Sequence, residues 1–294
     1  MRHPYQSSPP FTPMTELEAT TFDSFLHAAI AEDVGGGDIT TDSVVPTSAS
    51  ATADVIVRDE GVLAGLAVAL RAFAIVEPRI DRDLRIQDGT RVGAGTTVAR
   101  LSGPARGILT AERVALNLLG RLSGIATLTR SYVDEISGSK AKIADTRKTT
   151  PGLRSLERYA VRAGGGVNHR FGLHDAVLIK DNHLAADGGV GEAVARSRTG
   201  APGGPVIEVE CDTLQQVTEA LAAGVDAVLL DNMNEATIAK AVHMAAGRAI
   251  VEASGGINLR TVRGVAATGV DVISVGALTH GAVSLDVALD FVLR

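Results

Sequence analysis

Apolar segments recur at a regular spacing in the second half of the chain. The segment 223–230 (AGVDAVLL) recurs 45 residues later as 268–275 (TGVDVISV), and a third apolar run, 249–254, lies between them. The repeating unit is therefore about half of that spacing, which is the length of one strand plus one helix. Capping residues and glycines fall where this repeat places the starts and ends of helices.

Three further apolar runs, 142–144, 176–179 and 206–209, bring the total to about six strands alternating with helices. This alternation predicts an α/β fold with a parallel β/α barrel over residues 120–280, and a doubly wound open sheet is the alternative. We expect residues 281–294 to form a C-terminal helix that packs back on the N-terminal domain.

The first half of the chain has a different pattern. Short alternating runs such as 53–58 are followed by turn signals at 59–61 and 88–89, which predicts small strands with a few helices. We therefore expect a separate α+β domain over residues 15–119. Residues 1–14 are rich in Pro and Ser and lack the apolar stretch of a secretory signal, so we expect a disordered tail.

Composition and charge exclude several classes of protein. The formal net charge is −6 and the sequence pI is about 5.7, which argues against nucleic acid as a partner. The longest apolar run, 61–70, is about half of the ~20 residues that a membrane-spanning helix needs. We therefore expect no association with a membrane. A single cysteine cannot form an intrachain disulfide, so we expect a cytoplasmic protein.

Polar side chains follow each predicted strand of the barrel, where a buried strand would tolerate them only if they faced a ligand. The carboxyl ends of barrel strands form one mouth, which is where active sites of this fold lie. Nine Lys and Arg residues, against four acidic ones, lie between Lys140 and His183. Arg147, Lys148 and Lys180 come at strand ends, so we expect a substrate with several negative groups.

Acidic residues and glycines complete the predicted mouth. Glu210 and Asp231 end two neighbouring strands, and two carboxylates near bound phosphates suggest Mg²⁺, although they could instead only balance the basic residues. Backbone N–H groups at 254–256 (SGG) and 275–277 (VGA), after the last two strands, are typical of the phosphate site of barrels.

An ordered set of motifs resembles the quinolinate phosphoribosyltransferase family, also called nicotinate-nucleotide pyrophosphorylase (carboxylating), from about Leu26 onward. The motifs are DT at 145–146, RKTTPGLR at 147–154, GGGVNHR at 164–170, LIKDNH at 178–183, LTAER at 109–113, EVE at 208–210, LDN at 230–232, SGG at 254–256 and VGA at 275–277. The resemblance implies an N-terminal α/β sandwich domain and an incomplete β/α barrel of about six strands.

The resemblance also implies a reaction. Family members transfer the phosphoribosyl group of phosphoribosyl pyrophosphate to quinolinate with Mg²⁺, and release pyrophosphate and CO₂; the product, nicotinate mononucleotide, enters NAD biosynthesis. The resemblance implies that Glu210 and Asp231 form the acidic side that holds Mg²⁺ and ribose. It also implies that Lys148, His169 and Lys180 are catalytic residues. The implied substrate-binding residues are Arg113, Thr146, Arg147, Lys148, His169, Arg170, Lys180, Glu210, Asp231, Ser254, Gly255, Gly256, Val275, Gly276 and Ala277.

The resemblance further implies a homodimer in which Arg113 enters the neighbouring subunit's site. Two other functions stay open on the residues alone. Lys180, at the end of a barrel strand, could form a Schiff base in an aldolase. A non-catalytic anion-binding paralogue could keep the phosphate site without the chemistry.

Overall fold

The computed structural model describes residues 10–201 and 203–291. Its α-helices are α1 (Glu16–Ala19), α2 (Asp23–Val34), α3 (Ile39–Val44), α4 (Leu66–Val76), α5 (Ala105–Glu135), α6 (Arg154–Ala163), α7 (Asp181–Asp187), α8 (Val190–Gly200), α9 (Leu214–Ala222), α10 (Glu235–Ala245), α11 (Val262–Ala267) and α12 (Ala277–His280). Its strands are β1 (Ser50–Val57), β2 (Gly61–Val62), β3 (Asp81–Leu84), β4 (Arg91–Val92), β5 (Thr97–Pro104), β6 (Lys142–Ala144), β7 (Val177–Ile179), β8 (Ile207–Cys211), β9 (Ala227–Asp231), β10 (Ile250–Ser254), β11 (Val272–Ser274) and β12 (Val287–Phe291).

The chain divides into two compact units. The barrel-like unit comprises Thr129–Thr149 and Gly165–Gly281, and the antiparallel unit comprises Phe11–Leu128, Thr150–Gly164 and the chain from Ala282. The predicted boundary at residue 120 falls inside the continuous helix α5. A change in sequence style therefore need not coincide with the end of a helix.

The barrel-like unit holds a six-stranded parallel sheet in the order β6-β11-β10-β9-β8-β7. No ladder joins its two outer strands, β6 and β7, within the described residues, so the predicted incomplete barrel of six parallel strands is confirmed. Ala144, Ala227, Ile250 and Val272 pack together from four of these strands. Such short apolar strands are typical of a parallel sheet that is covered on both faces.

The antiparallel unit holds a four-stranded sheet in the order β12-β1-β5-β3, a two-stranded sheet of β2 and β4, and the apolar helix α4. The buried Asp88 carboxylate accepts the N–H groups of Gly65 (2.8 Å) and Leu66 (3.1 Å), and so caps α4 from outside the helix. It also accepts the Tyr159 hydroxyl at 2.6 Å, which ties α6 to the same point.

The C-terminal segment is a strand and not the predicted helix. β12 pairs antiparallel with β1, with Leu289 opposite Val55 and Ala288 opposite Ile56. The segment alternates apolar and other residues from Leu285 to Phe291, a period of two that suits a sheet edge. It does return to the N-terminal domain, as a strand that completes its sheet.

The predicted disordered tail extends too far. Residues 1–9 of it lie outside the described residues, but Phe11 and Met14 have defined contacts. The ring of Phe11 lies 5.3 Å from that of Tyr159, centroid to centroid, and the Met14 N–H donates to the Tyr159 hydroxyl at 2.9 Å. An aromatic contact and a hydrogen bond therefore fix the end of the segment.

The longest described helix, α5, has 31 residues. Polar and charged residues interrupt it throughout, and none of the helices in the described part of the chain has the length and apolar character needed to cross a membrane.

Candidate active site

A cavity of about 530 Å³ lies at the carboxyl ends of the six parallel strands. Each strand contributes a lining residue at or just after its end. The predicted site residues that line it are Thr146, Arg147, Lys148, His169, Arg170, Lys180, Glu210, Asp231, Ser254, Gly255, Gly256, Val275, Gly276 and Ala277. The structure therefore brings together in one place residues that are spread over 132 positions between Thr146 and Ala277 in the sequence.

Arg113 is the predicted site residue that is not among those lining the cavity. It lies on α5 in the antiparallel unit. Its side chain is 63% exposed, and its guanidinium approaches the neighbouring Glu112 carboxylate only to 3.8 Å. The predicted role of Arg113 thus remains a prediction.

The two predicted acidic residues share one face of the sheet. Glu210 on β8 pairs in register with Leu229 on β9, and Asp231 lies two residues beyond Leu229. Because side chains of a strand alternate between faces, Glu210 and Asp231 point to the same side. The Lys180 ammonium contacts the Glu210 carboxylate, and the Asn232 side-chain amide donates to Asp231 at 2.6 Å.

Lys148 is held through its backbone, which leaves its side chain available to the cavity. Its N–H donates to the Thr146 hydroxyl at 3.1 Å. Its carbonyl accepts the hydroxyl of the buried Thr279 at 2.7 Å. Two hydrogen bonds therefore fix the turn that presents Arg147 and Lys148.

Arg170 is buried and lies near the exposed, like-charged Arg147. Burial, followed by the like charge of Arg147, lowers the pKa of Arg170. Its guanidinium donates to the Ala176 carbonyl at 3.1 Å, which fixes its position. Two neighbouring guanidinium groups of this kind favour an anionic ligand, because the ligand relieves their repulsion.

The loop that carries His169 and Arg170 is anchored on the buried Asp145 at the end of β6. Its carboxylate accepts the side-chain amide of Asn168 and the backbone N–H of His169, the latter at 2.8 Å. Asp145 is therefore used to shape the site.

His169 has protein partners at both ring nitrogens. Its Nδ1 accepts the Arg170 N–H at 2.7 Å, while its Nε2 lies 3.3 Å from a carboxylate oxygen of Glu208 and 3.4 Å from one of Glu252. All three side chains are buried.

The glycine loop after β10 has a conformation that demands glycine. Gly255 has φ +86°, and a Cβ on it would lie 2.3 Å from the Asn232 side-chain oxygen. Gly256 is also left-handed, with φ +63°. The backbone of this loop therefore passes close to Asn232 and lines the cavity, an arrangement that suits a phosphate-binding turn.

Sequence reasoning missed several lining residues, chiefly Glu252, Ser274 and His280. Glu252 carries a signal that could have been used, since it is an acid in the middle of the apolar strand β10. His280 follows a predicted strand end by several residues and carries no such signal.

The six-stranded parallel unit and its cation-lined cavity define a β/α barrel protein that is built to bind polyanionic ligands. The chain belongs to the quinolinate phosphoribosyl transferase family: residues 38–123 match its N-terminal domain and residues 125–290 its C-terminal domain.

Named relatives cover nearly all of the chain. A probable nicotinate-nucleotide pyrophosphorylase [carboxylating] of Bacillus subtilis is 45% identical over 268 residues, which is 91% of this chain and 92% of that protein. The nicotinate-nucleotide pyrophosphorylase [carboxylating] of Mycobacterium leprae is 46% identical over 273 residues, 90% of this chain and 95% of that protein. The crystal structure of NadC from Streptococcus pyogenes superimposes with a TM-score of 0.91 at 41% identity, and the match covers 96% of this chain and 100% of that one.

Proposed function

We propose that the protein transfers the phosphoribosyl group of phosphoribosyl pyrophosphate to the ring nitrogen of quinolinate, with release of pyrophosphate and CO₂. The product is nicotinate mononucleotide, an NAD precursor. The observation that carries the proposal is the convergence of Arg147, Lys148, Arg170 and Lys180 on one cavity. A dicarboxylate and a pyrophosphate ester together need such a set of cations.

The charge distribution supports this transfer. Departure of pyrophosphate leaves a ribosyl centre with oxocarbenium character, so cations stabilise the leaving anion while the Glu210 and Asp231 carboxylates lie on the positive side. The attacking pyridine nitrogen carries no proton, so the first step needs no general base. Binding and orientation by Lys148 and Lys180 are then the main contributions of the chain.

Glu210 and Asp231 fit a magnesium ion by their donor chemistry. Both offer carboxylate oxygens, the ligands that Mg²⁺ prefers, from the same face of adjacent strands. When bound, Mg²⁺ would neutralise charge on the pyrophosphate leaving group. The Lys180–Glu210 contact shows that Glu210 also balances charge within the protein.

The same contact disfavours an aldolase. A Schiff-base lysine must attack a carbonyl through a free amine, whereas the Lys180 nitrogen is engaged in an ion pair with the Glu210 carboxylate.

We propose further that the protein acts in the cytoplasm as a homodimer, with Arg113 entering the site of the partner subunit. The exposed Arg113 side chain supports this arrangement, because a guanidinium with no strong partner among the described residues of its own chain can serve another.

The test is an incubation with quinolinate, phosphoribosyl pyrophosphate and Mg²⁺, with CO₂ and nicotinate mononucleotide measured separately. We expect both products in equal amounts. Nicotinate lacks one carboxylate and should be a far poorer substrate, because it leaves a site cation unpaired. Binding of both substrates without product would instead indicate an anion-binding paralogue, and a kcat/KM for nicotinate equal to that for quinolinate would contradict the dicarboxylate assignment.

A further inference from the structure

Three buried side chains form a cluster at the cavity. The phosphoribosyl transfer step described above gives this cluster no role. Glu252 on β10 is completely buried and lines the cavity. One ring nitrogen of His169 and one carboxyl oxygen each of Glu208 and Glu252 all lie within 4.8 Å of one another. Two acids therefore share one imidazole away from bulk water.

The hydrogen bonds assign the protons in this cluster. The Nδ1 atom of His169 accepts the Arg170 N–H, so the ring N–H is placed on Nε2, which faces both carboxyl groups. One N–H cannot neutralise two carboxylates, and like charges this close cannot both persist in a dry site. A proton on one carboxyl group of this cluster relieves the repulsion.

Glu252 is the acid that holds it. Within the described residues, neither of its carboxyl oxygens has a well-formed hydrogen bond, and the nearby Ser274 side chain favours the ionised form less than burial opposes it. The strand neighbours that pair with it in register, Leu229 and Val272, carry no charge, and the titratable groups that face it are His169 and Glu208. Burial raises the pKa of Glu252 to about 8, so at neutral pH it is a carboxylic acid.

Decarboxylation has a need that this group meets. When the bond between the ring and the departing carboxylate breaks, its electron pair stays on the ring carbon beside the nitrogen. That carbon must then receive a proton to give nicotinate mononucleotide. A protonated acid that lines the cavity is suited to deliver it.

We propose that Glu252 is the general acid that protonates the ring carbon from which CO₂ has left, an inference that rests on the proposed function. The carbon–carboxylate bond breaks to release CO₂, the Glu252 O–H bond breaks, and its proton forms the new C–H bond. The Glu252 carboxylate that results lies 3.4 Å from His169 Nε2, which stabilises it until water returns a proton. His169 and Glu208 are positioning residues for this acid.

The experiment replaces the acid by its neutral isostere, Glu252→Gln, and compares the isotope content of the product. Reactions run in a 1:1 mixture of H₂O and D₂O, and mass spectrometry gives the ratio of protium to deuterium at the new C–H bond. This aromatic C–H bond does not exchange afterwards, so the ratio reports on the group that donates. The control is Glu219→Gln, the same chemical change at an exposed position of the same unit.

We expect Glu252→Gln to lower kcat by about 100-fold and to shift the isotope ratio, with both KM values nearly unchanged. The control Glu219→Gln should match the wild type in kcat, in both KM values and in the isotope ratio. A second variant, Glu252→Asp, restores an acid and should return the isotope ratio toward that of the wild type. Retained binding of phosphoribosyl pyrophosphate shows that each variant is folded.

An isotope ratio in Glu252→Gln equal to that of the wild type overturns the proposal, whether or not kcat falls, because the donor is then another group. A stoichiometric metal ion bound by the purified wild-type protein and lost in Glu252→Gln also overturns it. Absence of nicotinate mononucleotide from the wild-type reaction would refute the proposed function itself, so the two failures are distinguishable.

Discussion

The protonated state of Glu252 has a consequence for stability that needs no substrate. In the unfolded chain its carboxyl group has its ordinary pKa of 4.5, whereas burial in the native protein raises the pKa to about 8. At pH values between 4.5 and about 8, Glu252 therefore loses its proton in the unfolded chain and keeps it in the native protein. Glu252 therefore favours the native state below pH 4.5, and this stability is lost as the pH rises toward 8.

The size of this effect follows from the pKa values. Each pH unit between them corresponds to ~1.4 kcal/mol, so the wild type should lose on the order of 2–3 kcal/mol between pH 5 and pH 7 through this group alone. Glu252→Gln has the shape of the protonated acid and cannot ionise. Its free energy of unfolding, relative to the wild type, should rise by that amount over the same interval.

Urea unfolding followed by circular dichroism at pH 5, 6 and 7 measures the difference in unfolding free energy between Glu252→Gln and the wild type, provided that their m-values agree. Glu219→Gln is the control, because its exposed carboxylate should give a curve parallel to that of the wild type. Parallel curves for Glu252→Gln and the wild type would refute the reasoning, since they would mean that Glu252 ionises as readily in the native protein as in the unfolded chain.

Three further predictions concern other parts of the molecule. Asp231→Asn should weaken binding of the magnesium complex of phosphoribosyl pyrophosphate about tenfold and leave quinolinate binding largely intact; calorimetry separates the two, and unchanged affinity would leave Asp231 with charge balance only. Mixing inactive Arg113→Ala with inactive Lys180→Ala under conditions of subunit exchange should restore activity, because one site of each mixed dimer is then complete; an inactive mixture with proven exchange would refute delivery of Arg113 in trans. Glu157→Gln should cost about 3 kcal/mol of unfolding free energy, because the fully buried Glu157 carboxylate pairs with Arg121 at 2.8 Å; a loss below about 0.5 kcal/mol in urea unfolding would contradict this.

The strand ends show what the sequence could predict. Parallel strands followed by Lys180 and by Glu210 had to bring these residues to one mouth, because the carboxyl ends of barrel strands meet there. The six-strand unit and the placement of the cations were predictable for this reason. The register that turns Glu210 and Asp231 to the same face follows from the same periodicity.

Glu252 shows what the sequence could not predict. An acid between Val251 and Ala253 signals a polar group in a buried strand, but the partners that give it its chemistry come from distant segments. His169 lies in a loop anchored on β6, and Glu208 lies two strands away in the sheet. Only the three-dimensional arrangement reveals that the acid is desolvated and shares an imidazole.

The wrong prediction of a helix over residues 281–294 has the same origin, because the strand β12 found there depends on a distant partner. The period of two from Leu285 to Phe291 covers one short segment, and it competes with a weak helical interpretation. The partner strand β1 decides between them, and it lies far away in the sequence.

The pairing of β12 with β1 constrains how the protein can be made. Arg58 and Asp290, which form an ion pair across this edge, are 232 residues apart in the chain. During synthesis on a ribosome, β1 emerges well before β12, so this edge of β1 remains unpaired until the residues of β12 have been translated. An open edge of this kind is a template for pairing with other chains. A nascent chain stalled before Val287 would therefore carry an exposed sheet edge, which makes incomplete translation products of this protein candidates for aggregation and for protection by chaperones.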